Sequence, residues 1–256
     1  MGARGEFRLA GACLALLIPL SVPAAPAAQQ PAEEVFDYRV DWRLWHAGDI
    51  RLTYQTPPAE AQQPPQAIVT LKTRGFVDSL YSVENKYSVE FDDGFCAASS
   101  LFEVKEGRKR RRIGVTYQDP PGKVNYLERD LVKDRVALRK ILNVPLCVHD
   151  ELAALARLRN MPSEPGDVIE LPISNGKKSV LARVEVQGRE TIETRAGTFD
   201  AIRYEAFLFN NILYRRRGRL FFWLTDDERR LPIQFRIRLR VYFGTITLQL
   251  VNKESK

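Results

Sequence analysis

The clearest pattern in the chain is IQFRIRLRV, where Ile233, Phe235, Ile237, Leu239 and Val241 alternate with Gln234, Arg236, Arg238 and Arg240 over nine residues. That period of two is the period of a pleated strand, with one apolar and one polar face. The same reading extends through much of the chain. VFDYRVDWRL breaks at His46-Ala47-Gly48-Asp49 and resumes as IRLTYQ. TPPAEAQQPPQ is a polar, breaker-rich loop. AIVTLKT returns to strand, and FVDSLYSV reads as a turn or short helix. NKYSVEFDDGFCAASSLFEVKEGRKRRRIGVTYQ reads as consecutive hairpins turning at Asp92-Asp93-Gly94 and at Glu106-Gly107. A further strand covers Lys123 to Leu131.

One segment departs from this period. In HDELAALARLRNMP, Asp150 can accept from the orphan backbone donors of a helix start. Leu152, Leu155, Ala156 and Leu158 then form an apolar face, and Pro162 ends the run. The face is plain leucine and alanine, which suits a packing element plugging one end of a curved sheet. Strands resume with VIELPI, a turn at Asn175-Gly176, VLARVEVQGRETIETRAGTFDAIRYEAFLF and GTITLQL. The expected fold is mainly β: ten or so strands in an antiparallel meander, curled into a barrel or half-barrel. One short helix, about 150–160, packs on it.

The beginning of the chain changes the picture. Arg4 and Arg8 precede an apolar run from Leu9 to Val22, and Ala25-Pro26-Ala27 supplies a small-residue cleavage site. This is the layout of an export signal, residues 1–27, too short to span a bilayer comfortably. Cys13 precedes most of the apolar run, which is the wrong place for a lipid-modified cysteine. Residues 28–34 read as a disordered lead and 35–256 as one domain, in an exported, periplasmic protein. Cleavage after Ala27 leaves 256 − 27 = 229 residues. Removing Arg4, Arg8 and Glu6 leaves 37 basic and 31 acidic residues. A modestly basic envelope protein meets anionic lipid, lipopolysaccharide or acidic glycan rather than nucleic acid, although the same charge also simply maintains solubility. Peripheral membrane contact fits this charge.

Of three cysteines, Cys96 and Cys147 remain after processing, and an oxidising compartment favours a bond between them. Closing 147 − 96 = 51 residues of chain corresponds to about 4 kcal/mol as an upper figure.

Catalytic signatures are sparse. There is no G-x-S-x-G elbow, no phosphate-cradling glycine motif and no calcium loop, and His46 and His149 are the only histidines. No metal or cofactor is expected, nor is an enzyme. The basic clusters, KEGRKRRR at 105–112 and RRRGR at 215–219, read as hairpin tips. Arg108, Arg110, Arg111, Arg215, Arg216 and Arg217, with the row Arg236, Arg238 and Arg240, are candidate contacts for an anionic ligand through forked guanidinium bonds. Equally, arginines blunt strand edges against aggregation. The ligand reading requires folding to place them on one side.

WLTDDERRLP, from Trp223 to Pro232, concentrates charge between two strands. As adjacent residues on a strand, Asp226 and Asp227 would point to opposite faces, which argues against a paired-carboxylate site. Thr225, Asp226, Asp227 and Arg230 therefore read as a structural hairpin, with Arg229 and Arg230 able to pair with the carboxylates.

The succession LAALARLRNMPSEPGD, VEVQGRETIETRAGTFDAIRYE, LFFWLTDDERRLPIQF and GTITLQL resembles the domain of unknown function 3108 family of exported bacterial proteins. The resemblance runs from about Phe36 to Leu250, with the loop at 56–66 looking like a local insertion. It implies an envelope protein with a curved antiparallel sheet, broadly similar to the half-barrels of envelope lipoprotein carriers, and implies no activity. Three functions follow as expectations. The first is a non-enzymatic protein binding a lipid or another amphipathic anionic component on an apolar concave face ringed by arginine. The second is a carboxylate hydrolase of an envelope glycan. The third is an adaptor or scaffold without a small ligand.

Overall fold

A computed structural model describes residues 33–209, 211–215, 217–239 and 244–255. The export segment, most of the lead, Arg216 and Arg240 lie outside the described residues.

Fourteen strands form a single antiparallel sheet. In chain order they are β1 (Glu33–Trp42), β2 (Trp45–Gln55), β3 (Gln66–Thr73), β4 (Glu84–Phe91), β5 (Ala97–Glu106), β6 (Lys109–Gln118) and β7 (Lys123–Asp130). Then come β8 (Arg135–Asn143), β9 (Val168–Ser174), β10 (Ser179–Thr194), β11 (Gly197–Ala206), β12 (Gly218–Thr225), β13 (Pro232–Leu239) and β14 (Thr245–Ser255). Two helices interrupt them, α1 (Gly75–Leu80) and α2 (Glu151–Arg159). Every neighbour in the sheet is a neighbour in sequence except β1 and β14, which pair with each other at its middle.

Several boundaries differ from expectation. The break foreseen at His46–Asp49 lies earlier, at Arg43 and Leu44, where Arg43 takes a left-handed conformation. His46 instead bonds Asp49 within β2, at 2.9 Å. β1 begins at Glu33, inside the expected lead, because Glu33 and Glu34 pair with Gln55 and Tyr54. β8 had no counterpart in the sequence reading. It is an edge strand, exposed on nearly all its residues, so it carries little hydrophobic periodicity.

The sheet is not closed, since β8 and β9 do not pair, yet its edges approach through side chains. The β9–β10 turn lies against β6 and β7: a Cβ added to Gly176 would come within 2.8 Å of Tyr126 and 2.9 Å of Val115. Only glycine fits there, at φ +78°. Lys140 of β8 donates to the Lys177 carbonyl at 2.6 Å. Pro172 is tolerated because β9 is an edge.

α2 lies inside this curl. Asp150 caps it as expected, accepting from the Leu152 amide at 2.9 Å. Ala153, Ala154, Leu155, Ala156 and Leu158 are all buried, so the helix is covered nearly all round rather than along one stripe. At its end, the Arg159 guanidinium lies 5.2 Å and 5.1 Å from the rings of Phe36 and Tyr54 and bonds Glu34 at 3.0 Å. Cys96 and Cys147 form the expected disulfide, joining the β4–β5 connection to the chain leading into α2.

An antiparallel meander sends alternate connections to opposite ends. The β1–β2, β3–β4, β5–β6, β7–β8, β9–β10 and β11–β12 connections share one end, called here the tip end. α2, the disulfide and the β12–β13 loop belong to the other.

Candidate functional site

Two cavities separate the two faces of the sheet. The first, about 370 Å³, is an apolar chamber on the inner face. Val69, Tyr87, Phe102, Ile113 and Val115 from β3–β6 line one wall, with Leu152 of α2 facing them. Asn175 and Lys177 of the β9–β10 turn and Tyr214 of the β11–β12 connection complete its lining. Its size falls within the ordinary range for small-molecule sites. The rest of the inner face is filled by core side chains, including Phe36, Tyr38, Tyr204 and Phe222. Among the described residues, the concave face is therefore largely a packed core beside this chamber.

Glu151 lines the chamber and, with the buried Asp150 beside it, forms an acid pair that sequence reading missed. Asp150 is fully buried and accepts from the Tyr87 hydroxyl as well as from its capping amide. Tyr214 donates to Glu151 at 2.5 Å. Burial pushes the Asp150 carboxyl up. Burial and then the neighbouring Asp150 charge push Glu151 well above the ordinary range. The sequence showed only an acidic dipeptide before a helix. Tyr87 and Tyr214, 63 residues distant on either side, supply what makes it unusual.

Lys177 lies 4.8 Å from the Tyr126 ring and bonds Glu128 at 3.1 Å. Arg111, a predicted anion contact, is also committed to Glu128 at 2.7 Å. Although burial raises it, hydrogen bonds from Tyr126 and Lys177 hold the Glu128 carboxyl below its usual range.

The other predicted arginines divide into two groups. Arg108 and Arg110 sit at the β5–β6 tip, where Arg110 donates to the Gly107 and Lys109 carbonyls, and Arg215 and Arg217 lie in the β11–β12 connection. Both connections fall at the tip end of the strand order. That end also exposes Leu44 (96 %), Trp45, Phe76, Leu80, Tyr81, Leu131 and Val132. Others, among them Ile141, Leu146, Val168 and Leu181, are exposed on the edge strands and before α2.

Arg236 and Arg238 do not ring the chamber. Phe235 and Ile237 face inward, so the arginines between them face outward. The expected wet face is not wet either: Gln234 on it is 2 % exposed. Directly across β12 and β13 stand Arg219 opposite Arg238, Phe221 opposite Arg236 and Trp223 opposite Gln234. Here a second cavity of about 210 Å³ is lined by Arg203, Arg219, Arg236, Arg238, Trp223 and Glu190, among others. Arg203, Arg219, Glu190 and Trp223 were not singled out from sequence, because only the β10–β13 register assembles them.

The WLTDDERRLP loop is the expected β12–β13 hairpin. The Thr225 hydroxyl donates to Asp227 at 2.6 Å and accepts from the Leu231 amide at 2.8 Å. Asp227 accepts from the amides of Arg229 and Arg230 and pairs with the Arg229 guanidinium. Asp226 pairs with Arg189 of β10 at 2.7 Å. Arg230 departs from expectation: its guanidinium turns inward to Ser163 (2.8 Å) and Tyr204 (3.3 Å), not to the loop carboxylates. Its carbonyl accepts from Arg159, which binds the hairpin to α2.

The fold and these cavities define an unclosed, barrel-like β-meander with an apolar chamber. The chain belongs to the family described as Protein of unknown function (DUF3108), whose model matches residues 37–251. No curated protein matches it. A β-barrel-like protein of domain of unknown function DUF1849 from Brucella abortus has the same fold. It is 12 % identical with a TM-score of 0.58, over 89 % of this chain and 99 % of that one. A Bacteroides fragilis protein with a YmcC-like fold is 12 % identical with a TM-score of 0.36, over 88 % and 97 % of the two chains.

Proposed function

We propose that this chain is an exported, non-enzymatic binding protein of the cell envelope. It holds part of a lipid or other amphipathic anionic molecule in the chamber and meets anionic membrane with its tip end. One observation carries the reading. The chamber is apolar and bordered by Lys177 and Tyr214, in a chain whose strand connections also expose Trp45, Phe76 and Leu80 and carry clustered arginines. Apolar side chains entering the headgroup boundary and cations attracted to anionic lipid add to one another. The disulfide agrees with an oxidising compartment. Charge also bears on the choice against hydrolysis, since Asp226 and Asp227 are engaged by Arg189, Thr225 and backbone amides.

The test has two arms. Protein purified without detergent should release lipid detectable by mass spectrometry, and Ile113→Trp, which fills the chamber, should lose it. Flotation should be stronger with phosphatidylglycerol vesicles than with phosphatidylcholine vesicles, and weaker in Trp45→Ser/Leu80→Ser. Absence of lipid together with equal flotation on both vesicles would overturn the reading in favour of an adaptor.

A further inference from the structure

We infer that the outward cleft over β10–β13 is a separate binding site for a phosphate group, built by Arg203, Arg236 and Arg238 on a Trp223–Phe221 floor. This does not rest on the chamber reading.

The argument begins with charge. Four arginines line the cleft, Arg203, Arg219, Arg236 and Arg238, and two carboxylates answer them, Glu190 and Glu205. Arg219 is fully engaged: it holds both oxygens of Glu205 at 2.6 Å, and Glu205, 2 % exposed, also accepts from Gln187 at 2.7 Å. Glu190 accepts from the Trp223 indole at 2.8 Å and from Arg203 at 3.4 Å. Two positive charges remain without a carboxylate. Neither Arg236 nor Arg238 makes an ion pair or hydrogen bond with any described residue; their contacts are with rings, Trp223 and Phe221, each at 5.2 Å.

A second observation points to a ligand. The Arg203 Nε is buried and has no hydrogen-bond partner among the described residues. A buried donor without an acceptor costs the full loss of its hydration, and such groups call for an explanation. Burial, and then the neighbouring Arg238, lower the Arg236 pKa. An anion in the cleft would relieve both.

The geometry selects the class. Both guanidiniums lie 5.2 Å from ring centroids of the aromatic floor, and their N–H donors have no acceptor among the described residues. Forked donors on two or three sides suit a tetrahedral dianion, which matches the two unanswered charges. A space of about 210 Å³ admits a phosphate with a short substituent, whether free in solution or on a lipid headgroup.

The experiment is calorimetric titration of the full chain with inorganic phosphate and with soluble dihexanoyl phosphatidic acid, against chloride at equal ionic strength. At least one phosphate compound should bind. Arg236→Gln/Arg238→Gln should weaken it by about tenfold or more, as should the single exposed Arg238→Gln in part. Glu190→Gln keeps the oxygen that Trp223 uses, removes a competing charge, and should bind several-fold tighter. Binding of both compounds assigns the site to phosphate in general; binding of the lipid alone assigns it to a headgroup. Affinity for both compounds no greater than for chloride, or unchanged in the arginine variants, would overturn the inference. The Ile113→Trp variant should bind phosphate normally, which separates this site from the chamber.

Discussion

Tyr117 and Ser174 lie on β6 and β9, strands far apart in the sheet order, yet the Tyr117 hydroxyl donates to the Ser174 carbonyl at 3.0 Å. The bond is buried and is one of the few polar ties between the two sides of an open sheet. Replacing Tyr117 by Phe removes that tie while keeping the ring. The loss should be about 1 kcal/mol, read as a lower denaturant midpoint with unchanged slope. An unchanged midpoint would mean this bond adds nothing to the hold between the edges.

Glu151 gives a pH dependence with a definite sign. Its folded-state pKa is raised, first by burial and then by Asp150, so the folded chain binds its proton more tightly than the unfolded chain. Stability from this group is complete below the ordinary glutamate range, near pH 4.3, and falls as pH rises through the elevated value. Glu151→Gln cannot ionise. Its midpoint relative to the parent protein should therefore improve from pH 4.5 to pH 8, and a constant difference would refute this.

Asp227 has the opposite sign. Despite burial, hydrogen bonds from Thr225 and Arg229 hold its carboxyl below the usual range. The stability it lends is present above the unfolded aspartate pKa and is lost as pH falls through the lower folded value. Asp227→Asn should be destabilised at pH 7, and the difference should shrink toward pH 3.

The disulfide constrains the chain leading into α2. Cys96→Ala/Cys147→Ala should lose about 2–5 kcal/mol in urea unfolding, as is typical for a native disulfide in a small secreted domain. Labelling of the unreduced, denatured parent should find neither thiol reactive.

The hairpin shows how far sequence carries. Thr225, Asp226 and Asp227 were legible as a turn because their partners are amides and hydroxyls within a few residues. Arg230 was misplaced because its partners, Ser163 and Tyr204, are 67 and 26 residues away. The same division holds elsewhere. The α2 cap and the strand tips are local and could be read. The Glu151–Tyr214 bond, the Arg236–Trp223 contact and the β1–β14 pairing are set by sheet order, which alternation does not encode. β8 was missed for another reason: an edge strand exposed on both faces has no burial pattern to display.

The pairing of β1 with β14 also dictates an order of assembly. β1–β8 and β9–β14 are each continuous meanders that can form from successive hairpins, fast local events. The seam between them joins the first described strand to the last, so it must form after residue 245 has emerged. Until then Tyr38 and Phe235, whose rings pack 5.7 Å apart near that seam, are exposed on unfinished edges.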